Sequence, residues 1–599
     1  MVLALMFGGL PAVSASAKGI TEKGDLALDN AAWQYDGVND VYYQLSIDYS
    51  SSPESADYEQ LNIYVPGKYM VASPNSGGKY TVHSFTDVVV NGFTADTAPI
   101  MLPMDTSGHR ANLPRPTYLY ADASNFVSKG LIYVDIGVRG KGASDEDLVN
   151  VAFPWAVSDF KAGVRYLRLN DDVLPGSTEL MFTYGTSGGG NHAGTAGASG
   201  NAPGFLPYLH RIGAAGVTVK AKNKKQEFVS TIRDDIAGTM QWVPIADHQF
   251  GNESYEWGLG QFLTNATTDP SGMRYGNTFT APFSDDLAAY YPRILNSLGL
   301  KDPKGNKLRL EKSAEGIYAA GSYYDFLKRV IEKSLNNFLA DSTDAQGSFS
   351  FKTFTSPEAY IASITGSNSK TGTNWIYYDS ATNTAKITSV GEFVANLKGG
   401  NAKDVTASDS FFNTSTNYST LDEPSLHFDL YTLAVLGQNE TKYASYHDWN
   451  PDYITAFRTQ PYVTDEVGTT TVERSVISSQ SNYINPNLPG YGTSDVSPYW
   501  RINSGAFQSD VPITTEMNLY LQLEQMRQKG RIRDVQFTTV WEKAHTSAER
   551  VGTSTDNLIA WVIESSKDQL RKGHDNHGHH NGHDRNGHDD HGDRKGNDK

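Results

Sequence analysis

"YGTSGGGNHAG", residues 184–194, is the stretch whose reading decides the fold. It sets Ser187 between Gly185 and Gly189 in a G-x-S-x-G pattern. In a chain with 55 glycines among 599 residues the pattern arises by chance about as often as not, so alone it settles little. Its flanks decide. The apolar run "ELMFTYG" (179–185) reads as a strand leading into the pattern, and the small-residue stretch "GNHAGTAGASG" (190–200) follows it as a helix. Strand, sharp turn and helix form a nucleophile elbow. Small neighbours let two backbones crowd a turn that holds the serine in strained dihedral angles. Gly188 would then offer its N–H to an oxyanion from the helix N-terminus. The alternative is one serine among many in a glycine-rich protein.

Other short apolar runs extend this picture. "LNIYVP" (61–66), "VVVNG" (88–92) and "LIYVDIG" (131–137) precede the elbow; "GTMQWVPI" (238–245), "YWRINSG" (499–505) and "VQFTTVW" (535–541) follow it. In "WAVSDFKAGVRYLRLN" (155–170), Val157, Phe160, Val164 and Leu167 recur at helical spacing and form one apolar stripe. Strands alternating with helices predict an α/β fold with a mostly parallel sheet. Residues 249–494 interrupt it. They are rich in Ser, Thr, Asn and Tyr, carry helices such as "YYDFLKRVIEKSLNNFLAD" (323–341), and are too long for a connecting loop. They read as an inserted helical and irregular domain over the C-terminal edge of the sheet, between core segments 18–248 and 495–572.

A nucleophilic serine needs a base, and His545 is the best placed histidine. It follows the last strand-like run in the loop "EKAHTSAER" (542–550), ahead of a final helix at 555–566. His192 is near in sequence but lies down the helix after the elbow, where its ring points away from Ser187. In α/β-hydrolases the order is Ser, acid, His. The acid is expected after "YWRINSG", and Asp510 is the sole carboxylate in the turn "AFQSD" (506–510). Its alternative role is a negative charge near a helix N-terminus. Asp247 is the next candidate.

Composition limits the partners. A net charge of −17 and the lack of a compact Lys/Arg cluster argue against nucleic acid. With no cysteine, disulfides, thiolate catalysis and Cys-ligated zinc are excluded, and compartment is left open. "MVLALMFGGLPAVSASA" (1–17) is apolar, then small, and reads as a signal peptide cut before Lys18, although no Lys or Arg precedes the apolar run. A buried N-terminal strand is its alternative. No other stretch is long and apolar enough to span a membrane. From Gly573 to Lys599 the chain holds seven of its fifteen histidines among Gly, Asp and Asn, without an apolar residue. That tail is expected to be disordered. It suits weak chelation of a divalent metal, or no specific role; the proposed chemistry needs no cofactor.

With these residues in view, "GTSGGGNHAGTAGASGNAPGFLPYLHRIGAAG" (185–216) is similar to the elbow segment of bacterial tannase-like α/β-hydrolases, the tannase and feruloyl-esterase group, in its subtype B tannase-like form. Four further regions resemble that group: "LNIYVPGKYM" (61–70) with "NGFTADTAP" (91–99), "VPIADHQFGNESYEWGLG" (243–260), "SLNNFLAD" (334–341), and "WRINSGAFQSDVPITTEMNL" (500–519) followed by "VWEKAHTSAERVG" (540–552). The resemblance implies a secreted or cell-surface serine esterase that hydrolyses small phenolic esters, with 249–494 as lid and pocket wall. It makes Ser187 the nucleophile, His545 the base, and Gly188 and Gly92 the oxyanion donors. It also marks departures. Where the group places two aspartates in the acid turn, one for the triad and one for the galloyl hydroxyls, this chain has Gln508 and Asp510. Lys403 matches a lysine that meets the phenolic hydroxyls, whereas Asn417 stands at the position of a glutamate. These departures bear on galloyl recognition more than on hydrolysis. A peptidase of the same fold, or an inactive protein that binds polyphenol or carbohydrate, are the rival readings.

Overall fold

The computed structural model describes residues 23–140, 153–222, 225–262, 280–314, 316–398 and 462–578. A nine-stranded sheet organises them. Its strands are β1 (Gln34–Asp36), β2 (Val41–Asp48), β3 (Gln60–Pro66), β4 (Ile100–Met104), β5 (Ile132–Ile136), β6 (Met181–Thr186), β7 (Gly238–Trp242), β8 (Tyr499–Gly505) and β9 (Asp534–Val540). Across the sheet they run in the order β1-β2-β3-β5-β4-β6-β7-β8-β9. The first three pair antiparallel, and everything from β5 to the β9 edge is parallel. This is a mixed α/β fold around a mostly parallel sheet.

Parallel strands need cover on both faces. The helices here are α1 (Tyr120–Val127), α2 (Trp155–Leu169), α3 (Gly188–Ala198), α4 (Ser322–Asp341), α5 (Ile513–Gln528) and α6 (Ser554–Gly578). On one face Phe126 of α1 and Leu558, Trp561 and Val562 of α6 pack with Tyr133, Phe182 and Met240. On the other, Phe160 and Leu167 of α2, Ala193 of α3 and Leu519 of α5 pack with Val134, Met181 and Ile502. A further apolar cluster joins Trp257, Tyr291, Leu327, Ile331 and Trp375 to Ile513, Met517 and Leu521 of α5. Residues from 249–494 thus dock on a helix of the core through their own apolar side chains.

Two sequence expectations change. "VVVNG" is not a strand of the sheet: Val88 and Val89 are exposed, and Val90 makes only an isolated bridge to Phe93. The strand at that point in the chain is β4, "IMLPM". Its Pro103 reads against a central strand, but pairing with β5 is confined to Ile100 and Met101, so the proline lies where that ladder has ended. The second change is at the C-terminus, where α6 runs to Gly578 and takes in the opening of the tail expected to be disordered. A docked helix extends at the cost of one residue per added hydrogen bond, without needing further apolar residues.

The polar side of α2 is buried as fully as its apolar stripe. Lys161 Nζ donates to Asp234 Oδ1 at 2.8 Å and to the Ser199 carbonyl, at the end of α3, at 2.7 Å. Arg165 Nε donates to Asp234 Oδ2 at 2.8 Å. All three side chains are buried, and the Asn201 N–H completes the carboxylate's shell at 2.7 Å. Burial alone would raise the carboxyl, but Lys161 and Arg165 hold it well below the usual aspartate range. Burial lowers the Lys161 ammonium despite the Asp234 carboxylate beside it. The cluster ties α2 to the end of the helix that starts at Ser187. Asp234→Asn strands two buried cations and is expected to cost about 3–5 kcal/mol in urea unfolding. Because the folded carboxyl titrates below its unfolded value, its stabilisation is complete above about pH 4 and is lost as the pH falls further. The wild-type minus variant difference, measured against pH, should shrink in that acid range.

Candidate active site

The strand order reverses at β4: β5 lies on one side of it and β6 on the other. In open α/β sheets ligands bind outside the carboxyl ends of the strands at such a switch. Ser187 is the first residue past the end of β6, with φ 59° and ψ −122°, a region costly for any residue bearing a Cβ. Its N–H donates to the Trp242 carbonyl at the end of β7 at 2.9 Å, and its own carbonyl accepts the Asn191 N–H of α3 at 2.9 Å. The glycines around it are required by contact. A Cβ on Gly185 would stand 2.4 Å from the Gly189 carbonyl oxygen, and one on Gly189 would stand 2.2 Å from the Met104 carbonyl oxygen.

Ser187 Oγ lies 2.7 Å from His545 Nε2. The loop after β9 delivers the imidazole from 358 residues away in sequence. On its other side His545 Nδ1 lies 2.7 Å from Gln508 Oε1. Asp510, the acid expected from the sequence, has its Oδ2 3.9 Å from Nδ1, within ion-pair reach and beyond hydrogen-bonding distance. The reason lies in the turn after β8. The Gln508 N–H reaches back to the Gly505 carbonyl at 3.2 Å, which makes the turn tight and points residue 508 at the histidine. Gly505 itself meets the histidine loop, where a Cβ would come 2.0 Å from the Ala544 carbonyl oxygen. The wider turn needed to bring 510 to Nδ1 is not formed.

Gln508 is buried and its amide is fixed in direction. Its Nε2 donates to Ser504 Oγ at 3.0 Å and to Glu516 Oε1 at 2.9 Å. Turning the amide over would set its oxygen against that carboxylate. With Oε1 toward His545, an acceptor faces Nδ1, so Nδ1 carries the proton and Nε2 keeps the lone pair that can receive a proton from Ser187. Glu516, in the first turn of α5, was absent from the sequence expectations. Its one available signal was its place eight residues after Gln508.

The remaining candidates divide. Gly188 opens α3 beside Ser187, where its N–H suits an oxyanion donor. Gly92 does not join it. It lies in the connection that enters β4, and a Cβ on it would meet Lys567 of α6 at 3.2 Å. The backbone against the elbow is the loop that leaves β4: a Cβ on Gly188 would meet the His109 nitrogen at 2.5 Å and the Thr106 carbonyl oxygen at 2.9 Å. Asp247 is buried elsewhere, accepting the Ser481 N–H at 3.1 Å, and burial lifts its carboxyl to about 6. His192 is also buried, with Nδ1 on Thr106 Oγ1 at 2.8 Å. Lys403 and Asn417 lie outside the described residues. A cleft of about 630 Å³ opens beside the elbow, lined by polar residues such as Asp105, Ser107 and Thr186 and by apolar ones such as Phe126, Trp242 and Leu558. Ser187 and His545 are not among its lining residues.

The tautomer assigned by the amide is open to direct measurement. In ¹⁵N-resolved spectra on the alkaline side, with Glu516 ionised, His545 should show a protonated Nδ1 and a bare Nε2, and Gln508→Ala should mix the two tautomers. An Nε2–H form in the parent protein would reverse the orientation given to Gln508.

No family model matches the sequence, and no curated protein matches it either. Solved structures do match its fold. A tannase from Fusobacterium nucleatum is 20% identical, with 90% of this chain and 99% of that one covered at a TM-score of 0.60. A tannin acyl hydrolase in complex with 3,4-dihydroxybenzoate is 19% identical over 90% of this chain and 98% of its own, at 0.58. The tannin acyl hydrolase of Lactobacillus plantarum is 20% identical over 90% and 99%, at 0.55. Nearly the whole chain is therefore similar in fold to bacterial tannases.

Proposed function

We propose that this chain is a serine esterase of the α/β-hydrolase fold that hydrolyses phenolic carboxylic esters, of galloyl or feruloyl type, through an acyl-enzyme. The observation that carries the reading is the 2.7 Å contact from His545 Nε2 to the hydroxyl of a serine held in a strained elbow. Ser187 Oγ attacks the ester carbonyl while its proton passes to Nε2. Negative charge collects on the carbonyl oxygen, and in this reading the Gly188 N–H and a backbone N–H of the Thr106–His109 loop receive it. As the carbonyl re-forms, the bond to the alcohol oxygen breaks and Nε2 returns the proton to that oxygen. Water then repeats the sequence and frees the acid.

The likeness in fold to tannin acyl hydrolases, one of them holding 3,4-dihydroxybenzoate, supports a phenolic acyl group. Residues 249–494 form the lid and pocket wall in this reading. Lys403 and Asn417 remain candidates for the phenolic hydroxyls on the sequence resemblance, and export rests on residues 1–17. Asp510, with its side chain 34% exposed beside His545, is assigned to the substrate rather than to the imidazole.

A fluorophosphonate probe tests the nucleophile. It should label Ser187 in the parent protein and leave Ser187→Ala unlabelled, with turnover of p-nitrophenyl acetate down by about 10⁵–10⁶-fold and the unfolding midpoint unchanged. A parent protein that takes up no probe would be a binding protein. Asp510→Asn is expected to raise KM for gallate and ferulate esters and to spare p-nitrophenyl acetate. A loss of turnover on both substrate types would return Asp510 to the imidazole.

A further inference from the structure

Gln508 presents a difficulty for the esterase reading. A neutral amide on Nδ1 can orient an imidazole, but it brings no charge to offset the imidazolium formed when Ser187 gives up its proton. Asp510 stands 3.9 Å from Nδ1, too far to bond it, and the carboxylate that is hydrogen-bonded into the line lies one residue further back, behind the amide. We infer that Glu516 is the acidic end of that hydrogen-bonded line, acting at one remove: its carboxylate orients the Gln508 amide, and through that amide the tautomer of His545, while its charge adds to the stabilisation of the imidazolium. This rests on the esterase reading. Glu516 touches neither substrate nor reacting atoms, so it is a positioning residue.

The geometry is continuous. Ser187 Oγ to His545 Nε2, His545 Nδ1 to Gln508 Oε1, and Gln508 Nε2 to Glu516 Oε1 measure 2.7, 2.7 and 2.9 Å. Gln508 and Glu516 are both buried, so little water screens the second step. Glu516 sits in the first turn of α5, a sixteen-residue helix whose N-terminal dipole favours an anion. Glu516 Oε2 has no hydrogen-bond partner among the described residues, and the carboxylate is met by the Gln508 amide and the Ser504 hydroxyl. Ser504 Oγ also accepts from the Gln508 amide, so hydroxyl, amide and carboxylate hold one another in a single orientation.

The charge state of Glu516 supplies a readout. Burial lifts its carboxyl to about 8, against the favourable effects of Ser504, Gln508 and Lys398. Among the described residues Lys398 is the charged group acting on it, and burial lowers that ammonium to about 8. A carboxyl raised in this way is ionised above about 8 and neutral below. Its help to His545 is therefore present on the alkaline side and fades as the pH falls. A protonated Glu516 can instead donate to the amide oxygen, which would let Gln508 turn over and favour the unproductive Nε2–H tautomer.

Glu516→Gln, which keeps the shape, is expected to lower kcat for p-nitrophenyl acetate by about 10- to 100-fold above pH 9, less than the roughly 10⁴-fold loss of a directly bonded triad aspartate. Below pH 7 the deficit should nearly vanish. A residue that merely packs would give the same deficit at every pH, and that result would overturn the inference. The exchange Gln508→Glu with Glu516→Gln moves the carboxylate onto Nδ1 and the amide behind it. It should restore turnover to within about 3-fold of the parent; an exchanged protein no better than Glu516→Gln would also reject the role. If Glu516→Gln fails to fold, the exchange is judged against the parent, and turnover more than about 10-fold below it rejects the role. The ¹⁵N tautomer of His545 separates this inference from the esterase reading, since it needs no turnover. A shift toward Nε2–H in Glu516→Gln supports the linkage even in a protein whose serine takes up no probe, and an unchanged tautomer with full labelling counts against the linkage alone.

Discussion

The site depends on one backbone conformation, that of Ser187. Strain of this kind costs on the order of 1–3 kcal/mol and persists only where its surroundings over-determine it. Here they do so from three directions. The Trp242 carbonyl takes the serine N–H, α3 leaves from its carbonyl side, and the loop from β4 presses on Gly188 and Gly189 so closely that any side chain there would collide. The strands flanking β6 are thus more than core. They supply the walls of the turn, and one of them leads into the backbone proposed to meet the oxyanion.

A second constraint couples the turn after β8 to the loop after β9. The Gly505 backbone rests against the Ala544 carbonyl, so the two connections behave as one unit and bring Gln508 and His545 together. α5 begins directly after this turn and places Glu516 behind Gln508. The same helix carries Met517 and Leu521 into the cluster formed with residues of 249–494. Packing of that segment and the setting of the amide behind the histidine share a single element.

Much of this was legible along the chain, and what was missed has a physical reason. The elbow is a local event: strand, glycines, serine and helix adjoin, so Ser187 can be read from residues 179–200. His545 follows from chain order. The partner of Nδ1 does not, because the width of the turn from Gly505 is set by contact with Ala544, distant in sequence and invisible in the turn's own residues. Choosing Asp510 because it is a carboxylate overlooked that a tight turn presents the third residue after the glycine. Gly92 came from the resemblance of "NGFTADTAP" (91–99), a segment that enters β4, whereas the loop against the elbow leaves it. Glu516 was hidden in another way, since an acid in the first turn of a helix ordinarily needs no explanation beyond the helix itself.

The amide between His545 and Glu516 has a consequence for where a proton can travel. A carboxylate bonded directly to an imidazole is also a base, and offers the proton a second resting place. The Gln508 side chain transmits orientation and field but has no accessible protonation state of its own. It works as an insulator in a line that otherwise conducts: whatever Ser187 releases stops at the imidazole and has one way onward, back past Ser187 to the reacting group.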